Sequence, residues 1–269
     1  MVKTGIPTFG IVVLASLIPA QAPSVHVEIS EDPVLDAARN AAASFAKSLP
    51  DYIVKRTTTR YTRYRPSALL IGSPHVIDTV TADVASQHGQ EVYSNTKIDG
   101  KPTNDPQITG SWSSGEFSSA LLGILSIQNA AVFTNKSAAT IAHRPTYRYH
   151  FAIDHAHSSW QIDDREGTRT IHYAPAYAGV IWIDRQTGQT LRIEMDTRDL
   201  PEGFSIDHIS SATEYDFVRI GDASYPLPTH SETTSCFHNT PLCAWNETTF
   251  QDYKKFQASA AITFDGIAK

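Results

Sequence analysis

Two closely spaced histidines are the first candidates for chemistry. His155 and His157 stand two residues apart in "DHAHSSW", so on an extended chain both would point the same way, near His150 and Asp154. Imidazoles beside a carboxylate could hold a metal ion or act as general bases in a hydrolase. The spacing matches no metal motif such as HExxH, and polar residues also gather at hairpin tips. We therefore predict no metal site and keep a hydrolase centred on His155 and His157 as an alternative.

A serine in "GSWSSGEF" is the second candidate, as a nucleophile. Gly110 and Gly115 are one residue too far apart for a G-x-S-x-G elbow, which also requires a preceding strand in an α/β sheet. Ser113 and Glu116 instead fit a capping box that starts a helix. Acidic neighbours such as Asp163 and Asp164 are explained more simply as a solvated strand face or turn. The sequence therefore predicts no catalytic residues and no cofactor.

Length and charge narrow the class of protein. The chain has 269 residues, of which 41% are hydrophobic, enough to bury a sizeable core. Its 22 basic and 28 acidic residues give a net charge of −6, and no basic block is present. This balance argues against nucleic acid as a partner.

The first residues resemble a secretory signal. Lys3 precedes an apolar stretch at residues 11–18, and Ala20-Gln21-Ala22 has the A-x-A form of a cleavage site. The apolar stretch is too short to cross a bilayer of about 30 Å as a helix. We predict a signal peptide at residues 1–22 and a single β-rich envelope domain at residues 23–269. The mature chain would then be exported, to the periplasm or the extracellular space, with no transmembrane segment.

The two cysteines fit an exported protein. Cys236 and Cys243 flank the turn signal Asn239-Thr240-Pro241 in "TSCFHNTPLCAW". A disulfide between them would close a short loop, whereas a redox pair is more often C-x-x-C and a zinc site would need two further ligands. We predict a structural disulfide.

Two segments are predicted to be helices. The first follows Asp32 as N-cap with Pro33 in the first turn, and ends at Leu49-Pro50. The second spans residues 115–127 and begins at the capping box. The segment "DYIVKRTTTRYTRYRP" between them, rich in Thr, Tyr and Arg, suits an exposed strand.

Most of the chain after the second helix alternates as strands do. In "YAGVIWIDRQTGQTLRIEMDT", Val180 and Trp182 share one face and Ile181 and Ile183 the other, before a turn at residues 186–188. Consecutive segments of this kind, joined by short polar turns, predict an antiparallel meander. Regular βα alternation is absent, so a parallel-sheet enzyme fold is not expected.

Several motifs resemble those of known envelope proteins. "GVIWIDRQTGQTLRIEM" looks like the hairpin of the periplasmic LolA/LolB/RseB-like lipoprotein-carrier superfamily. "LPDYIVKRTTTRY", "SWSSGEF", "YDFVRIGDASYPLP" and "TFQDYKKF" are similar to motifs of exported β-rich proteins of the acidobacterial type. This second resemblance covers most of the predicted mature chain.

The resemblance implies both a fold and a site. The fold would be a β-rich α+β arrangement, in which a single curved antiparallel sheet forms an unclosed barrel and two main helices cover its concave face. The inner face of such a sheet is too large for its own side chains to fill, so helices or a ligand must cover it. The apolar residues expected to line this face are Trp112, Phe117, Leu121, Leu122, Leu125, Trp182, Leu191 and Ile193.

These inferences predict an exported, non-enzymatic protein that binds a lipid or another apolar ligand in its concave face. Its partner would be an acyl lipid or a lipoprotein. The main alternative is a sensor or scaffold module that binds an envelope protein through an exposed strand edge.

Overall fold

The computed structural model describes residues 32–65, 72–87, 90–166 and 169–255. These residues fall in one compact unit that begins at Asp32. The predicted signal peptide, residues 1–22, lies outside the described residues.

A large antiparallel sheet is the main element of the fold. The strands of the described segments are β1 (Tyr52–Tyr64), β2 (His75–Gln87), β3 (Gln90–Ile98), β4 (Lys101–Pro102), β5 (Val132–Ile141), β6 (Arg144–Ile153), β7 (Ile162–Glu166), β8 (Arg169–Tyr173), β9 (Ala176–Asp184), β10 (Thr190–Arg198), β11 (Ile206–Ile220), β12 (Ala223–Phe237) and β13 (Leu242–Lys255). Eleven of them form one curved sheet in the order β4-β3-β2-β1-β13-β12-β11-β10-β9-β6-β5. The order of the described strands ends at β4 on one side and at β5 on the other, so the sheet is not closed into a barrel. β7 and β8 form a separate two-stranded hairpin.

Two α-helices accompany the sheet, α1 (Pro33–Ser48) and α2 (Ser119–Leu125). The Asp32 carboxylate accepts a hydrogen bond from the Val34 N–H at 2.9 Å, and Leu49 ends α1, so the predicted start and stop of this helix are confirmed. No helix within the described ranges is both long and apolar enough to cross a membrane.

The second helix is shorter than predicted, and its predicted capping box is wrong. α2 covers seven residues, and its N-cap is Ser118 rather than Ser113. The Ser113 hydroxyl instead donates to the Glu116 carboxylate at 2.7 Å in a non-helical segment, and the same carboxylate oxygen accepts from Arg56. The buried Arg56 therefore binds the two side chains that the sequence spacing predicted to form a helix cap.

Both helices pack on one face of the large sheet, which we call the inner face. Leu35, Ala38 and Phe45 of α1 and Leu121 and Ile124 of α2 belong to the main hydrophobic core. The core residues of β6 and β9 alternate along their strands and are Tyr149, Phe151, Ile153, Tyr177, Ile181 and Ile183. Strands β1, β2 and β10 to β13 also contribute to this core. The predicted fold class, a single antiparallel sheet with two helices over one face, is confirmed.

The predicted hairpin at residues 177–197 is also confirmed, with β9 and β10 as its strands. Ile181 pairs with Ile193 on the inner face, while Trp182 pairs with Arg192 on the opposite, outer face. Gly188, in the turn, has a φ of +70°, and a Cβ there would lie 3.1 Å from the backbone of Ala37 in α1. The turn thus docks against the helix only because its glycine has no side chain.

The predicted disulfide joins Cys236 and Cys243. The two residues are direct partners at the end of the β12–β13 ladder, where their Cα atoms are 4.0 Å apart. Their neighbours Ser235 and Ala244 pair on the inner face, so the disulfide lies on the outer face.

Substituting Gly188 tests the docking of the turn on α1. We expect Gly188→Ala to lower the free energy of unfolding by more than the roughly 1–2 kcal/mol cost of a left-handed conformation, because the new methyl group also meets Ala37. Gly221→Ala should show the conformational cost alone, since its φ is +63° and nothing lies within 4 Å of the added Cβ. Gly203→Ala, in open space, should be nearly neutral. Urea denaturation of the three variants measures this order, and equal losses at positions 188 and 221 would contradict it.

Candidate functional site

A groove of about 620 Å³ lies on the inner face beyond α2. One wall is the segment 110–116, which we call the wall segment, and the other is the first strand of the β7–β8 hairpin. The start of α2, at Ser119 and Ala120, closes one end. Its volume is within the range of about 300–1,000 Å³ that is typical of small-molecule sites.

Apolar and polar residues both line the groove, and the polar ones are concentrated in its floor. The apolar lining residues include Trp112, Trp160, Ile162, Met195, Ile206, Ile209 and Phe237. The floor is formed by strands β11, β12 and β13, whose polar inner-face residues there are Ser211, Thr213, Thr233, Ser235 and Asn246. The arrangement can therefore receive a ligand that has both apolar and hydrogen-bonding parts.

A buried arginine holds the loop that leads into the wall segment. Arg60 of β1 is 1% exposed and donates from Nε and Nη2 to the two carboxylate oxygens of Asp78, at 2.6 and 2.7 Å. Its Nη1 donates to the carbonyls of Pro106 and Ser111 at 2.7 and 3.4 Å, and Nη2 also donates to the Thr109 hydroxyl. All five N–H groups of the guanidinium are thereby used. Arg60 ties residues 106–111 to the sheet.

The charge of Asp78 is maintained by these contacts. Burial would raise the pKa of Asp78, but the hydrogen bonds from Arg60 and Thr109 outweigh it and lower that pKa below its usual value. Both partners are almost fully buried, so solvent screens this ion pair little.

A second buried arginine positions the groove wall itself. Arg56 is fully buried, and its Nη2 donates to the Ser113 hydroxyl at 3.0 Å and to the Glu116 carboxylate at 3.2 Å. Its guanidinium carbon lies 3.9 Å from the centre of the Trp112 ring. The Tyr215 hydroxyl donates to the Glu116 carbonyl at 2.9 Å, which fixes the same segment from β11. Arg56 therefore sets the position of Trp112 in the groove.

A further carboxylate lies behind the wall segment. Glu91 of β3 accepts hydrogen bonds from the Tyr93 hydroxyl at 2.8 Å and from the Gly115 N–H at 3.2 Å. Burial and the nearby charge of Glu116 raise the pKa of Glu91 above its usual value. Two carboxylates share the single positive charge of Arg56 here.

The opposite wall is fastened by two polar contacts. Asp164 of β7, which is buried, accepts hydrogen bonds from the Ser205 N–H at 2.6 Å and from the Ser205 hydroxyl at 2.7 Å. Arg165 forms an exposed ion pair with Asp105 at 3.3 Å, and so joins the β7–β8 hairpin to the loop that Arg60 holds. The two walls are thus connected to each other as well as to the sheet.

A shallower depression of about 730 Å³ adjoins the groove on the other side of Trp112. It shares Gln107, Trp112 and Arg165 with the groove, but its remaining lining comes from β3 and from residues 102–106. It does not reach the floor strands β11 to β13, so the groove is the site that the inner face of the sheet provides.

The eight predicted lining residues are divided among three environments. Trp112 lines the groove. Phe117, Leu121, Leu125 and Ile193 are buried in the main core, and Leu191 is buried beside the register shift in β10. Leu122 is 36% exposed on α2, and Trp182 lies on the outer face. Of the eight residues predicted to line the concave face, Trp112 lies in the groove and five are buried elsewhere.

The histidine region is engaged in local contacts. His155 hydrogen-bonds through Nδ1 to the Ala174 carbonyl at 2.6 Å and stacks on Tyr173, while His157 pairs with Asp154 at 2.7 Å. Neither histidine lines the groove. Over the described ranges, no cluster of three or more His, Cys, Asp or Glu side chains could hold a metal ion.

The two arginines that shape the site are the residues sequence reasoning missed. The segment 51–66 was expected to be an exposed strand, yet Arg56, Thr58 and Arg60 are buried on the inner face of β1. These three residues occupy every second position of the strand, which is the spacing of residues that share one face. The carboxylate of Asp78 on the next strand could have indicated an ion-pair partner for Arg60.

Removing the Arg60 side chain tests its role as the anchor of the wall. We expect Arg60→Met to lower the free energy of unfolding by about 3–5 kcal/mol, because Asp78 would be left buried without its partner. Trp112 fluorescence should also shift to longer wavelength as the loop detaches. Arg198→Met, at an exposed position, is the control and should change neither quantity. A near-neutral Arg60→Met would show that the wall is held by other contacts.

The raised pKa of Glu91 predicts a pH dependence of stability. A carboxyl whose folded-state pKa is raised favours the folded state at low pH, and this contribution is lost as pH rises through that pKa. We therefore expect Glu91→Gln to gain stability relative to the unmodified protein as pH increases from the usual glutamate value towards neutrality. Urea unfolding at a series of pH values measures the difference, and a difference independent of pH would contradict the prediction.

No protein-family model and no curated protein matches the sequence. Several solved structures follow a similar course over most of the chain. One is a LolA superfamily protein from Nitrosomonas europaea, which is 9% identical to this chain and has a TM-score of 0.34. The match covers 84% of this chain and 93% of that protein. A putative outer membrane lipoprotein-sorting protein domain from Vibrio parahaemolyticus has 13% identity, coverage of 85% and 94%, and a TM-score of 0.41. A DUF1329 family protein from Desulfovibrio piger has 7% identity, coverage of 84% and 95%, and a TM-score of 0.41. At these identities the likeness is one of chain course alone.

Proposed function

We propose that the protein is an exported, non-enzymatic binding protein of the cell envelope that holds a lipid-like amphiphile in the groove. The observation that carries this proposal is the groove itself, a concave site of about 620 Å³ on the helix-covered face of the sheet. Trp112 and Trp160 are two of its apolar lining residues and offer flat surfaces on which an alkyl chain can pack.

The construction of the walls supports a preformed site. Arg60 and Arg56 hold one wall through buried hydrogen bonds, and Asp164 holds the other. A ligand that enters walls already fixed pays little of the ordering cost that weakens binding to flexible surfaces.

Binding of a protein partner at a sheet edge has less support. At one edge, β4 covers only Lys97 and Ile98 of β3, and the uncovered part of β3 is interrupted at Asn95, which has a φ of +51°. β5, at the other edge, is interrupted by a register shift between Thr134 and Ser137, and Asn135 there has a φ of +52°. Short and bulged edges pair poorly with an added strand. A hydrolase at His155 and His157 has no support from the groove, which those residues do not line.

Blocking the groove tests the proposal. The neutral fluorescent probe N-phenyl-1-naphthylamine should bind the full chain with a stoichiometry near one, and native mass spectrometry of protein purified from a bacterial periplasm should detect a lipid that co-purifies. Ser119 is an exposed residue at the end of the groove that α2 closes. Ser119→Phe places a ring there, so we expect this variant to weaken probe binding at least tenfold.

Ser224→Phe is the matched control, because Ser224 is exposed and does not line the groove. It should bind the probe as the unmodified protein does. Absence of probe uptake, or equal binding by both phenylalanine variants, would refute the proposed site.

A further inference from the structure

The floor of the groove contains hydrogen-bonding groups that the protein leaves unused. Ser211, Thr233 and Ser235 lie on adjacent strands and face the groove, and within the described part of the chain their side-chain hydroxyls form no hydrogen bond. An alkyl chain laid over them would remove these hydroxyls from water without replacing the lost hydrogen bonds, which is costly.

Asn246 adds a buried acceptor at the same place. Its side-chain Nδ2 donates to the carbonyl and to the hydroxyl of Ser111, both at 3.1 Å, whereas its Oδ1 has no partner. The residue is 2% exposed and lines the groove. A buried acceptor without a donor is rare in folded proteins, and this oxygen is itself almost inaccessible to solvent, so it adds to the polar character beneath the floor.

The charges around the groove disfavour an anionic ligand. Glu116, Asp163 and Asp164 line it together with the basic residue Arg165, and Arg56 behind the wall segment pairs with Glu116. The guanidinium of Arg165 is paired with Asp105, which leaves Asp163 and Asp164 in excess. A phosphate or carboxylate headgroup would meet an excess of negative charge, whereas an uncharged headgroup would not.

We propose that the floor recognises an uncharged, polyhydroxylated headgroup, so that the ligand class is a neutral glycolipid-like amphiphile rather than an anionic phospholipid or a plain hydrocarbon. Sugar hydroxyls both donate and accept, and can therefore satisfy the serine and threonine hydroxyls of the floor. The alkyl part packs against the apolar lining residues, such as Trp112 and Trp160. This inference rests on the proposed function, because it assigns a headgroup to the same groove.

Three ligands that share one alkyl chain test the headgroup assignment. Dodecyl maltoside, dodecanol and dodecyl phosphate are each titrated, below their micelle-forming concentrations, against protein loaded with N-phenyl-1-naphthylamine. We expect dodecyl maltoside to displace the probe at a concentration at least tenfold lower than either of the other two. Equal displacement by dodecanol, or stronger displacement by dodecyl phosphate, would overturn the inference and leave the proposed function standing. Failure of the probe and of all three ligands to bind would refute the proposed function itself.

A floor variant locates the recognition. Ser235→Ala combined with Thr233→Val removes two hydroxyls with little change of shape, so the advantage of dodecyl maltoside over dodecanol should fall at least fivefold while dodecanol binding is retained. Ser210→Ala with Thr249→Val makes the same changes on the outer face of the same sheet and should leave the preference intact. An unchanged preference in the floor variant would contradict recognition by these hydroxyls.

Discussion

The hydrogen bonds of the Arg60 guanidinium are the interaction on which the site depends. A long loop, residues 103–118, joins β4 to α2, and it has few apolar side chains with which to bury itself. Arg60 of β1 donates hydrogen bonds to carbonyls of this loop and to the Thr109 hydroxyl, while Asp78 on β2 neutralises its charge. The burial of this charge is offset by the carboxylate of Asp78 and by hydrogen bonds from every donor of the guanidinium. The wall segment, which lies within this loop, therefore begins at residues whose position Arg60 fixes.

The inner face of the sheet is divided in a way that separates stability from binding. Under the helices, β6, β9 and part of β10 present large apolar residues, such as Phe151 and Ile181, that complete a dry core. Strands β1 and β11 to β13 add apolar residues to this core at one end, such as Val54 and Phe250, and present arginine, threonine, serine and asparagine further along the same face. The apolar part provides the hydrophobic stabilisation. The polar part forms contacts between the walls and the sheet.

Local features of the fold were predictable, and contacts between distant residues were not. The cap of α1 at Asp32, the β9–β10 hairpin and the disulfide each depend on residues that are close in sequence. Arg56 and Glu116 are 60 positions apart, and their meeting depends on the register of several strands. Because Ser113 and Glu116 also fit a helix cap, the local signal gave the wrong answer where a distant arginine competed.

The central claim is that an amphiphile lies in the groove between the two walls. The protein has four tryptophans: Trp112 and Trp160 line the groove, while Trp182 and Trp245 lie on the outer face. Nuclear magnetic resonance of the indole N–H signals during titration with dodecyl maltoside reads all four at once. We expect shifts and intermolecular nuclear Overhauser effects from the alkyl chain at Trp112 and Trp160, with the other two signals unchanged. Contacts to Trp182 or Trp245 instead, or no contact to any indole, would contradict the account.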